Sequence, residues 1–516
     1  MIDEATLRKT LSLRPGDADC HYNLGCVLAE AGRHEEAAEA FSVALRIHPQ
    51  DAAALNNLGN SLLALERVGE AETAFSRAIK FDRRNPVIVA NLASALNLMA
   101  VRLRNAGDER EAERLLRRAL AAKEDFPEGW NNLAAVLHDL GRHPEAEDAV
   151  LRALTLRPGY VSAFCNLGNI LIDTGRPAEA RAAYERAAAA APDSAAAHWN
   201  LGLACLALGD LERGFAEFEY RLRLPEARGL YPDRDIPCWA GENMAGRRLL
   251  LYAEQGLGDT LQFVRYVPML AERGGEVHLE APAALHRLLA GMPGLAGIHA
   301  AGEGGGGWDQ ACPLMSLPHR FGTTLETVPA DIPYLHADPG RVTYWRNRLG
   351  TDRHRPAVGL VWAGEPRKGQ PDAYRIDLRR SLRLDDLAPV LALEGIDFVS
   401  LQKGAGAAQM DGHPLAGRIL DWTPELTDFA ETAALAMNLD LIVTVDTSVA
   451  HLSGGLGRPT WVLSRFDGCW RWLLDRDDSP WYPTLRLFRQ ERPLDWAPAV
   501  ARMAAELKLW REAWHA

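Results

Sequence analysis

The sequence predicts an α-helical solenoid followed by an α/β region made of two lobes. The first observation is that the tripeptide Asn-Leu-Gly or Asn-Leu-Ala recurs, mostly every 34 residues, over the first two-fifths of the chain. The second is that short apolar runs alternate with amphipathic segments from residue 247 onward. The third is the apolar run 441–445, which is followed at once by helix-capping residue types. We therefore expect helical hairpins first and helix-covered parallel sheets afterwards.

Composition limits the function classes. The chain has 516 residues, which is too long for one hydrophobic core, and a net charge of −12. Without a broad basic excess, we expect no nucleic-acid partner. The seven cysteines are scattered and none forms a CxxC pair, which is typical of a reduced, cytoplasmic protein. No apolar run reaches the ~18 residues of a membrane helix, so we expect no membrane span.

The N-terminal periodicity is regular. The tripeptide begins at 23, 57, 91, 132, 166 and 200, in steps of 34, 34, 41, 34 and 34 residues. Small residues recur at two further positions of each unit, namely Ala37, Ala71, Ala112, Ala146 and Ala180, and Ala44, Ala78, Ala119, Ala153 and Ala187. The seven extra residues of the third unit, around 98–107, are predicted to lengthen its helices or the turn between them. This pattern resembles the tetratricopeptide repeat.

The resemblance implies a superhelix whose concave groove takes a protein or peptide partner. The alternative is that the array only supports the following domain or mediates self-association. Asn57, Asn91, Asn132 and Asn166 are candidates for the groove because they recur on one face. Asparagines at these positions can equally be structural.

The first α/β lobe is predicted from a strand at 249–253, a loop at 254–260 and a helix at 261–273. Further short strands are predicted at 276–280, 297–300 and 309–313. Gly256 and Gly258 allow a tight turn and a close approach to a ligand. Asp259 is either a helix cap or a carboxylate that points into a cleft.

The second lobe is predicted from strands at 357–362, 398–402, 441–445, 460–463 and 485–488 and helices at 384–393, 429–438 and 496–514. The segment 364–381 is unusually basic for an acidic chain and contains Arg367, Lys368, Arg375, Arg379 and Arg380. This cluster either neutralises a diphosphate or is a solvated charged loop.

The segment that follows strand 441–445 is the strongest candidate site. It contains Asp446, Thr447 and Ser448, then His451 on a short helix. A helix N-terminus at the carboxyl edge of a parallel sheet offers free backbone N–H groups and the positive end of the helix dipole to a phosphate or diphosphate. The alternative is an ordinary strand–cap–helix unit, with His451 in the core.

Two other features, a pair of Asp-Arg-Asp sequences and a group of tryptophans, allow both a functional and a simpler structural explanation. The Asp-Arg-Asp sequences at 233–235 and 475–477 match a metal-binding pattern, but neither follows an apolar strand, so we expect no metal ion or cofactor. Trp461, Trp470, Trp472 and Trp481 lie near the candidate site in sequence. They could stack on a base or sugar, although a packed core is the commoner fate.

Residues 239–509 resemble glycosyltransferase family 9, the heptosyltransferase-like group with the GT-B fold. The matching segments are AEQGLGDTLQFVRYVPML, VGLVWAG, RRSL, VSLQKG, VDTSVAHLSGGLGRPTWVL and WRWLLDRDDSPWYPTLRLFRQ. The whole chain resembles bacterial proteins that fuse tetratricopeptide repeats to such a domain. The expected organisation is repeats at 1–222, a linker at 223–246, an acceptor-side lobe at 247–350 and a nucleotide-sugar-side lobe at 351–516.

The resemblance also implies residue roles. Asp259 matches the catalytic base of the first loop. Asp446, Thr447, Ser448 and His451 match the segment that binds the nucleotide diphosphate, and Gln402, in the matching segment VSLQKG, is assigned to the same donor site. Arg367, Lys368 and Arg380 compete for the position of the basic phosphate ligand. The loop that contains them is longer than in close relatives and has no histidine, so the phosphate ligand stays open.

The implied reaction is an inverting, metal-independent transfer from a nucleotide-sugar to an acceptor hydroxyl, with Asp259 as the base. The leading hypothesis is that the repeats select a protein acceptor. The alternatives are transfer to a lipopolysaccharide or another glycan, and a non-catalytic interaction scaffold that has kept the fold.

Overall fold

The computed structural model describes residues 3–227, 236–303 and 305–514. The chain divides into two compact units, one of residues 1–174 with 182–193 and one of residues 175–181 with 194–516. The sixth repeat therefore groups with the α/β region, whereas the sequence pattern predicts that the repeats end at residue 222.

The N-terminal region consists of paired helices. Their bounds are α1 Glu4–Leu13, α2 Ala18–Glu30, α3 His34–Ile47, α4 Ala52–Ala64, α5 Val68–Phe81, α6 Pro86–Asn105, α7 Glu109–Ala122, α8 Pro127–Asp139, α9 His143–Leu156, α10 Val161–Asp173, α11 Pro177–Ala190, α12 Ala195–Ala207 and α13 Leu211–Phe218. The extra residues of the third unit lengthen its first helix, since α6 has 20 residues and the equivalent α4 has 13.

The repeated small residues allow close helix packing. A Cβ atom at Gly59 on α4 would lie 2.5 Å from the ring of Phe75 on α5, so this position has no room for a side chain. Ala71 and Ala78 are fully buried in the same unit. The tripeptide motif thus fixes the distance between the helices of a hairpin.

The helix α6 is long and apolar enough to cross a membrane, judged by length and composition alone. Within its unit, however, Leu92, Ala93 and Leu96 are buried in the repeat core together with Leu116 of α7. Part of the apolar surface of α6 therefore packs in the core of the repeats.

The first α/β lobe has a parallel sheet in the order β3-β2-β1-β4. Its strands are β1 Arg248–Tyr252, β2 Glu276–Glu280, β3 Leu295–His299 and β4 Gln310–Pro313, and its helices are α14 Leu257–Phe263, α15 Val267–Glu272, α16 His286–Leu289 and α17 Leu317–Arg320. The single helix predicted at 261–273 is wrong. It begins earlier and is divided by a 3₁₀ turn at Val264–Tyr266, next to Pro268, whose nitrogen cannot donate a helical hydrogen bond.

The second lobe follows α18 (Pro339–Leu349) and has a parallel sheet in the order β10-β9-β8-β5-β6-β7. Its strands are β5 Ala357–Val361, β6 Asp397–Ser400, β7 Ile419–Leu420, β8 Leu441–Val445, β9 Thr460–Ser464 and β10 Leu485–Arg489. Its helices are α19 Pro371–Arg380, α20 Ala388–Leu391, α21 Phe429–Ala436, α22 Ser448–Gly455 and α23 Ala497–Ala513.

Three details of the second lobe differ from the predictions. The basic segment contains the helix α19, which the pattern did not predict because charged residues dominate it. The helix predicted at 384–393 is a 3₁₀ turn, Leu384–Leu387, followed by the short α20. The short edge strand β7 was missed, since two residues give no periodicity.

The central strands β5, β8 and β9 of the second sheet are buried on both faces, as their apolar runs predicted. Along β8, Leu441, Val443 and Val445 pack with α23, whereas Ile442 faces a core shared with α21 and α22. This double burial leaves the carboxyl ends of the strands as the place where polar side chains can meet.

The sixth repeat belongs to the core of the α/β region. Leu211, Phe215 and Phe218 of α13 are buried in the same cluster as the first sheet. The ring of Phe215 meets that of Trp470 edge-on, with 5.7 Å between centroids. The repeat pattern alone could not show this, because the same apolar positions also serve contacts between repeats.

Candidate functional site

The candidate site lies where α14 of the first lobe meets α22 of the second lobe. Each helix begins just after the carboxyl end of a central strand, α14 after β1 and α22 after β8. A Cβ atom at Gly258 would lie 2.8 Å from Cδ2 of His451 and 3.3 Å from Cα of Ser448. Only glycine allows this approach, so Gly258 lets the first turns of the two helices meet.

Asp259 serves as a helix cap and also reaches the second lobe. Its Oδ2 accepts a hydrogen bond of 2.8 Å from the backbone N–H of Gly256, the N-cap of α14. Its Oδ1 accepts a hydrogen bond from the guanidinium of Arg471. Asp259 is therefore a helix cap, which is one of the two alternatives raised by the sequence, and its second oxygen is paired with Arg471 of the second lobe.

Arg471 is a further residue of the site, and it was not predicted from the sequence. It lies on a 3₁₀ turn, Trp470–Trp472, and its guanidinium stacks over the Trp470 ring at 4.2 Å. Its Nε donates to Oε1 of Gln262 at 2.7 Å. Burial lowers the pKa of Arg471, but Asp259, Cys469 and Asp446 together raise it by more, so the pKa lies above its usual value. An arginine between tryptophans was the available signal.

His451 is a buried side chain between two aromatic neighbours. Its Nδ1 lies 2.9 Å from the hydroxyl of Tyr482, and its ring stacks on Trp472 with 5.3 Å between centroids. Burial lowers the pKa of His451 to about 3, and the guanidinium of Arg471 acts in the same direction. The imidazole is therefore neutral near pH 7 and offers a phosphate no positive charge.

The N-terminus of α22 has the geometry predicted for it. Thr447 is the N-cap residue, and its side chain makes no capping hydrogen bond to the helix. Its hydroxyl instead lies 3.2 Å from that of Thr444. Asp446 and Ser448 are half-buried on either side. The first N–H groups of α22 are thus not occupied by the cap side chain.

The three competing basic residues occupy different places. Arg380 lies at the end of β8, where its Nη1 donates to the carbonyl oxygen of Asp446 at 3.2 Å and its Nε to Asp377 at 3.0 Å. Arg367 is exposed, and a Cβ atom at Gly256 would lie 3.2 Å from its Nη2. Lys368 is exposed and forms no ion pair with a described residue. Arg380 thus contacts Asp446, next to the N-cap of α22, whereas Arg367 lies beside Gly256 at the start of α14.

Gln402 is buried and fully hydrogen-bonded. Its Oε1 accepts from the backbone N–H groups of Trp362 and Ala363 at 2.9 and 2.8 Å. Its Nε2 donates to the carbonyl oxygens of Ala363 and Lys403 at 2.9 and 2.8 Å. The amide thus ties together the ends of β5 and β6 and has no hydrogen-bonding position left for a donor, contrary to its assignment from sequence.

The four tryptophans near the site are buried in the core. Of the two Asp-Arg-Asp sequences, residues 233–235 lie outside the described residues. Asp475 follows the 3₁₀ turn and has a left-handed φ of 55°. Among the described ranges no cluster of three His, Cys, Asp or Glu side chains is arranged to hold a metal ion.

In the compact unit of residues 1–174 with 182–193, the recurring asparagines form a ladder of hydrogen bonds between neighbouring repeats. Asn91 donates to Oδ1 of Asn56 at 2.9 Å, and the same step joins Asn132 to Asn97 at 2.7 Å and Asn166 to Asn131 at 2.8 Å. Asn57 donates to the hydroxyl of Tyr22 at 3.2 Å. These amides therefore have a structural role, each linking a helix to the preceding repeat.

A cavity of about 500 Å³ opens in the same unit. It lies beside the ladder, and its lining combines amide, hydroxyl, charged and aromatic groups: Ser94, Asn97, Lys123, Asp125, Phe126, Pro127, Glu128 and Arg157.

Comparison with known proteins identifies the N-terminal region. Profiles described as tetratricopeptide repeat match residues 4–52, 22–86, 92–125, 126–193 and 165–229. Residues 4–229 are tetratricopeptide repeats. The predicted repeat family is thereby confirmed, and with it a region of the kind that binds proteins or peptides.

One curated relative is Protein FlbA of Caulobacter vibrioides, 27% identical over 331 residues, or 59% of this chain and 53% of that protein. The chain thus spans about half the length of this relative. The similar solved structures include YrrB, described as a TPR protein with an unusual peptide-binding site, which is 22% identical with a TM-score of 0.31 over 38% of this chain and 97% of that one. Another is pilF of Pseudomonas aeruginosa, 20% identical with a TM-score of 0.32 over 40% and 92%.

Proposed function

We propose that the α/β region is a glycosyltransferase with a GT-B fold, similar to glycosyltransferase family 9. It would move a sugar from a nucleotide-activated donor to an acceptor hydroxyl, and the tetratricopeptide repeats would select a protein as acceptor. The observation that carries the proposal is the contact between the starts of two helices. The first, α14, contains the carboxylate of Asp259, and the second, α22, presents its N-terminus. A base and an anion cradle are the two parts that such a transfer needs.

In the proposed mechanism, Asp259 accepts the proton of the acceptor hydroxyl as that oxygen attacks the anomeric carbon. The bond from the anomeric carbon to the diphosphate breaks, and the nucleoside diphosphate leaves with the electron pair. Backbone N–H groups at Ser448 and Val449 and the guanidinium of Arg380 stabilise the negative charge on the leaving group. The neutral His451 packs the floor of the site. No step uses a metal ion.

The first test is the thermal stability of the whole protein with UDP, GDP, ADP, CMP and CDP. A ligand at 100 times its Kd stabilises by about 2.7 kcal/mol, which is a readable shift. We expect one nucleotide to raise the midpoint. The variant Arg380→Gln is expected to bind it about 10-fold more weakly, since a hydrogen bond to a charged group is lost. Lys368→Gln, on the same segment, is the control and is expected to bind normally.

The second test separates binding from chemistry. We expect Asp259→Asn to bind the nucleotide as the wild type does and to lose transfer. Transfer at the wild-type rate in this variant would remove Asp259 from the mechanism.

A non-catalytic scaffold is the second candidate function. It is favoured by the repeats, which account for residues 4–229, and by the full use of Gln402 within the protein. If none of the five nucleotides changes the stability, the scaffold becomes the better description. A glycan acceptor in place of a protein is distinguished by which acceptor becomes labelled when a radioactive donor is supplied.

A further inference from the structure

The carboxylate of Asp259 is held at both of its oxygens. The bond from the Gly256 N–H reaches Oδ2 from the same loop, and the bond from Arg471 reaches Oδ1 from the second lobe. A carboxylate that is held at two oxygens cannot rotate about its Cβ–Cγ bond without breaking one of the two. The orientation of this side chain therefore depends on a residue more than 200 positions away in the sequence.

Arg471 is itself held from three sides. Its Nε binds Oε1 of Gln262 on α14, its Nη1 binds Sγ of Cys469 at 3.4 Å, and the ring of Trp470 covers one face of the guanidinium. The side chains of Arg471 and Asp259 are only 10% and 16% exposed. A buried arginine that is fixed in this way keeps its fork geometry, which a flexible surface cation does not.

Both α14 partners of Arg471 lie on one face of that helix. Asp259 and Gln262 are three residues apart, so one guanidinium can bind both at once. The pair thus ties the beginning of α14 to the Trp470–Trp472 turn. Any displacement of that turn would move the carboxylate.

We propose that Arg471 is a positioning residue that orients the Asp259 carboxylate for proton transfer. This inference rests on the proposed function and adds to it a residue that acts through Asp259. The alternative is that the pair only fastens the two lobes, in which case its loss lowers stability and every function equally. The two roles predict different results when Arg471 is replaced. A positioning role lowers kcat and leaves the nucleotide affinity unchanged, whereas a fastening role lowers both.

The experiment compares Arg471→Gln and Arg471→Lys with the wild type in the full chain. The probe is release of nucleoside diphosphate from UDP-, GDP- and ADP-sugars, with water as acceptor, together with the Kd for the nucleotide chosen by the stability panel. Arg476→Gln is the matched control, since Arg476 lies on the same segment and pairs with Asp478 instead.

We expect Arg471→Gln to lower kcat about 10- to 100-fold with the nucleotide Kd unchanged, because small misplacements of a catalytic group have effects of this size. Arg471→Lys keeps the charge but cannot bind Asp259 and Gln262 together. Its kcat is therefore expected to lie between that of the wild type and that of Arg471→Gln. Arg476→Gln is expected to match the wild type.

Three results would overturn the role of Arg471: a kcat of Arg471→Gln within twofold of the wild type, equal losses in the Gln and Lys variants, or a loss of kcat matched by a loss of nucleotide affinity. If Arg471→Gln does not fold, Arg471→Lys decides, and a kcat within twofold of the wild type overturns the proposal. A wild-type protein that releases no diphosphate from any donor counts against the proposed function itself.

Discussion

Arg221 and Glu254 form a buried, bidentate ion pair between the end of the sixth repeat and the end of β1. The Nε–Oε1 and Nη2–Oε2 distances are 3.0 and 2.8 Å, and the two side chains are 2% and 0% exposed. Glu254 also accepts the backbone N–H of Met315 at 3.0 Å. Burial lowers the pKa of Arg221, but Glu254 and Glu219 together raise it by more, so the net shift is upward.

We expect the loss of either partner to be strongly destabilising. Arg221→Met leaves the carboxylate of Glu254 buried without its cation, and Glu254→Gln leaves the guanidinium with Glu219 as its remaining anion. Each is expected to cost about 3–5 kcal/mol of unfolding free energy, whereas the double variant Arg221→Met/Glu254→Leu is expected to cost less than either. Denaturant unfolding of the four proteins measures this, and additive losses would contradict it.

The sixth repeat sets where the chain can be shortened. Because Leu211, Phe215 and Phe218 are buried with the first sheet, we expect a chain that begins at Ser194 to unfold cooperatively and one that begins at Arg223 to aggregate or melt at a lower temperature. Calorimetry of the two chains is the measurement. Equal midpoints would show that the sixth repeat adds nothing to the α/β region.

Gly258 is expected to tolerate no side chain. Gly258→Ala would place a methyl group 2.8 Å from the His451 ring, and overpacking of this kind costs about 1–3 kcal/mol. Gly256→Ala is the matched control. The atoms nearest to its new methyl group, the ends of the Arg367 and Asp259 side chains, lie at 3.2 Å, and Arg367 is exposed and can move, so we expect a smaller loss. The comparison is of unfolding free energies, and equal losses would contradict the close helix contact.

His451 predicts a specific pH dependence of stability. Its pKa is about 3 in the folded protein, against an ordinary value of 6.5. Below pH 6.5 the imidazole of His451 binds a proton in the unfolded chain but stays neutral in the folded chain. The unfolding free energy therefore falls by about 1.4 kcal/mol per pH unit until about pH 3.

The variant His451→Asn removes this titration and keeps a hydrogen-bond acceptor near Tyr482. We expect the difference in unfolding free energy between pH 7 and pH 5 to be smaller in the variant. Titrations of other groups are common to both proteins and cancel in this comparison. An identical difference in the two proteins would show that His451 is not held neutral.

Much of the secondary structure follows from local pattern. The repeat spacing, the strand at 441–445 and the cap at Thr447 are all written in short stretches of sequence, because helix packing within a hairpin and strand burial on two faces need particular residue types at particular spacings. The division of the helix predicted at 261–273 and the helix within the basic segment were missed, since charge and proline positions there override the apolar period.

The candidate site was predicted in part. Asp259 and the α22 N-terminus were found because strand, loop and cap signals are contiguous. The contact of Arg380 with Asp446, the neutrality of His451 and the full hydrogen bonding of Gln402 were not predictable, since each depends on neighbours that are distant in sequence.

The sequence by itself determined the repeat family, the order of the strands along the chain and the position of both loops. Only the tertiary structure decided that the sixth repeat packs with the α/β region, that Arg471 binds Asp259 and that Gly258 brings two helices into contact. The physical reason is the distance along the chain between the residues that interact. Periodicity, capping and strand burial act between residues close in the chain, whereas ion pairing and close packing act between surfaces that meet only after folding.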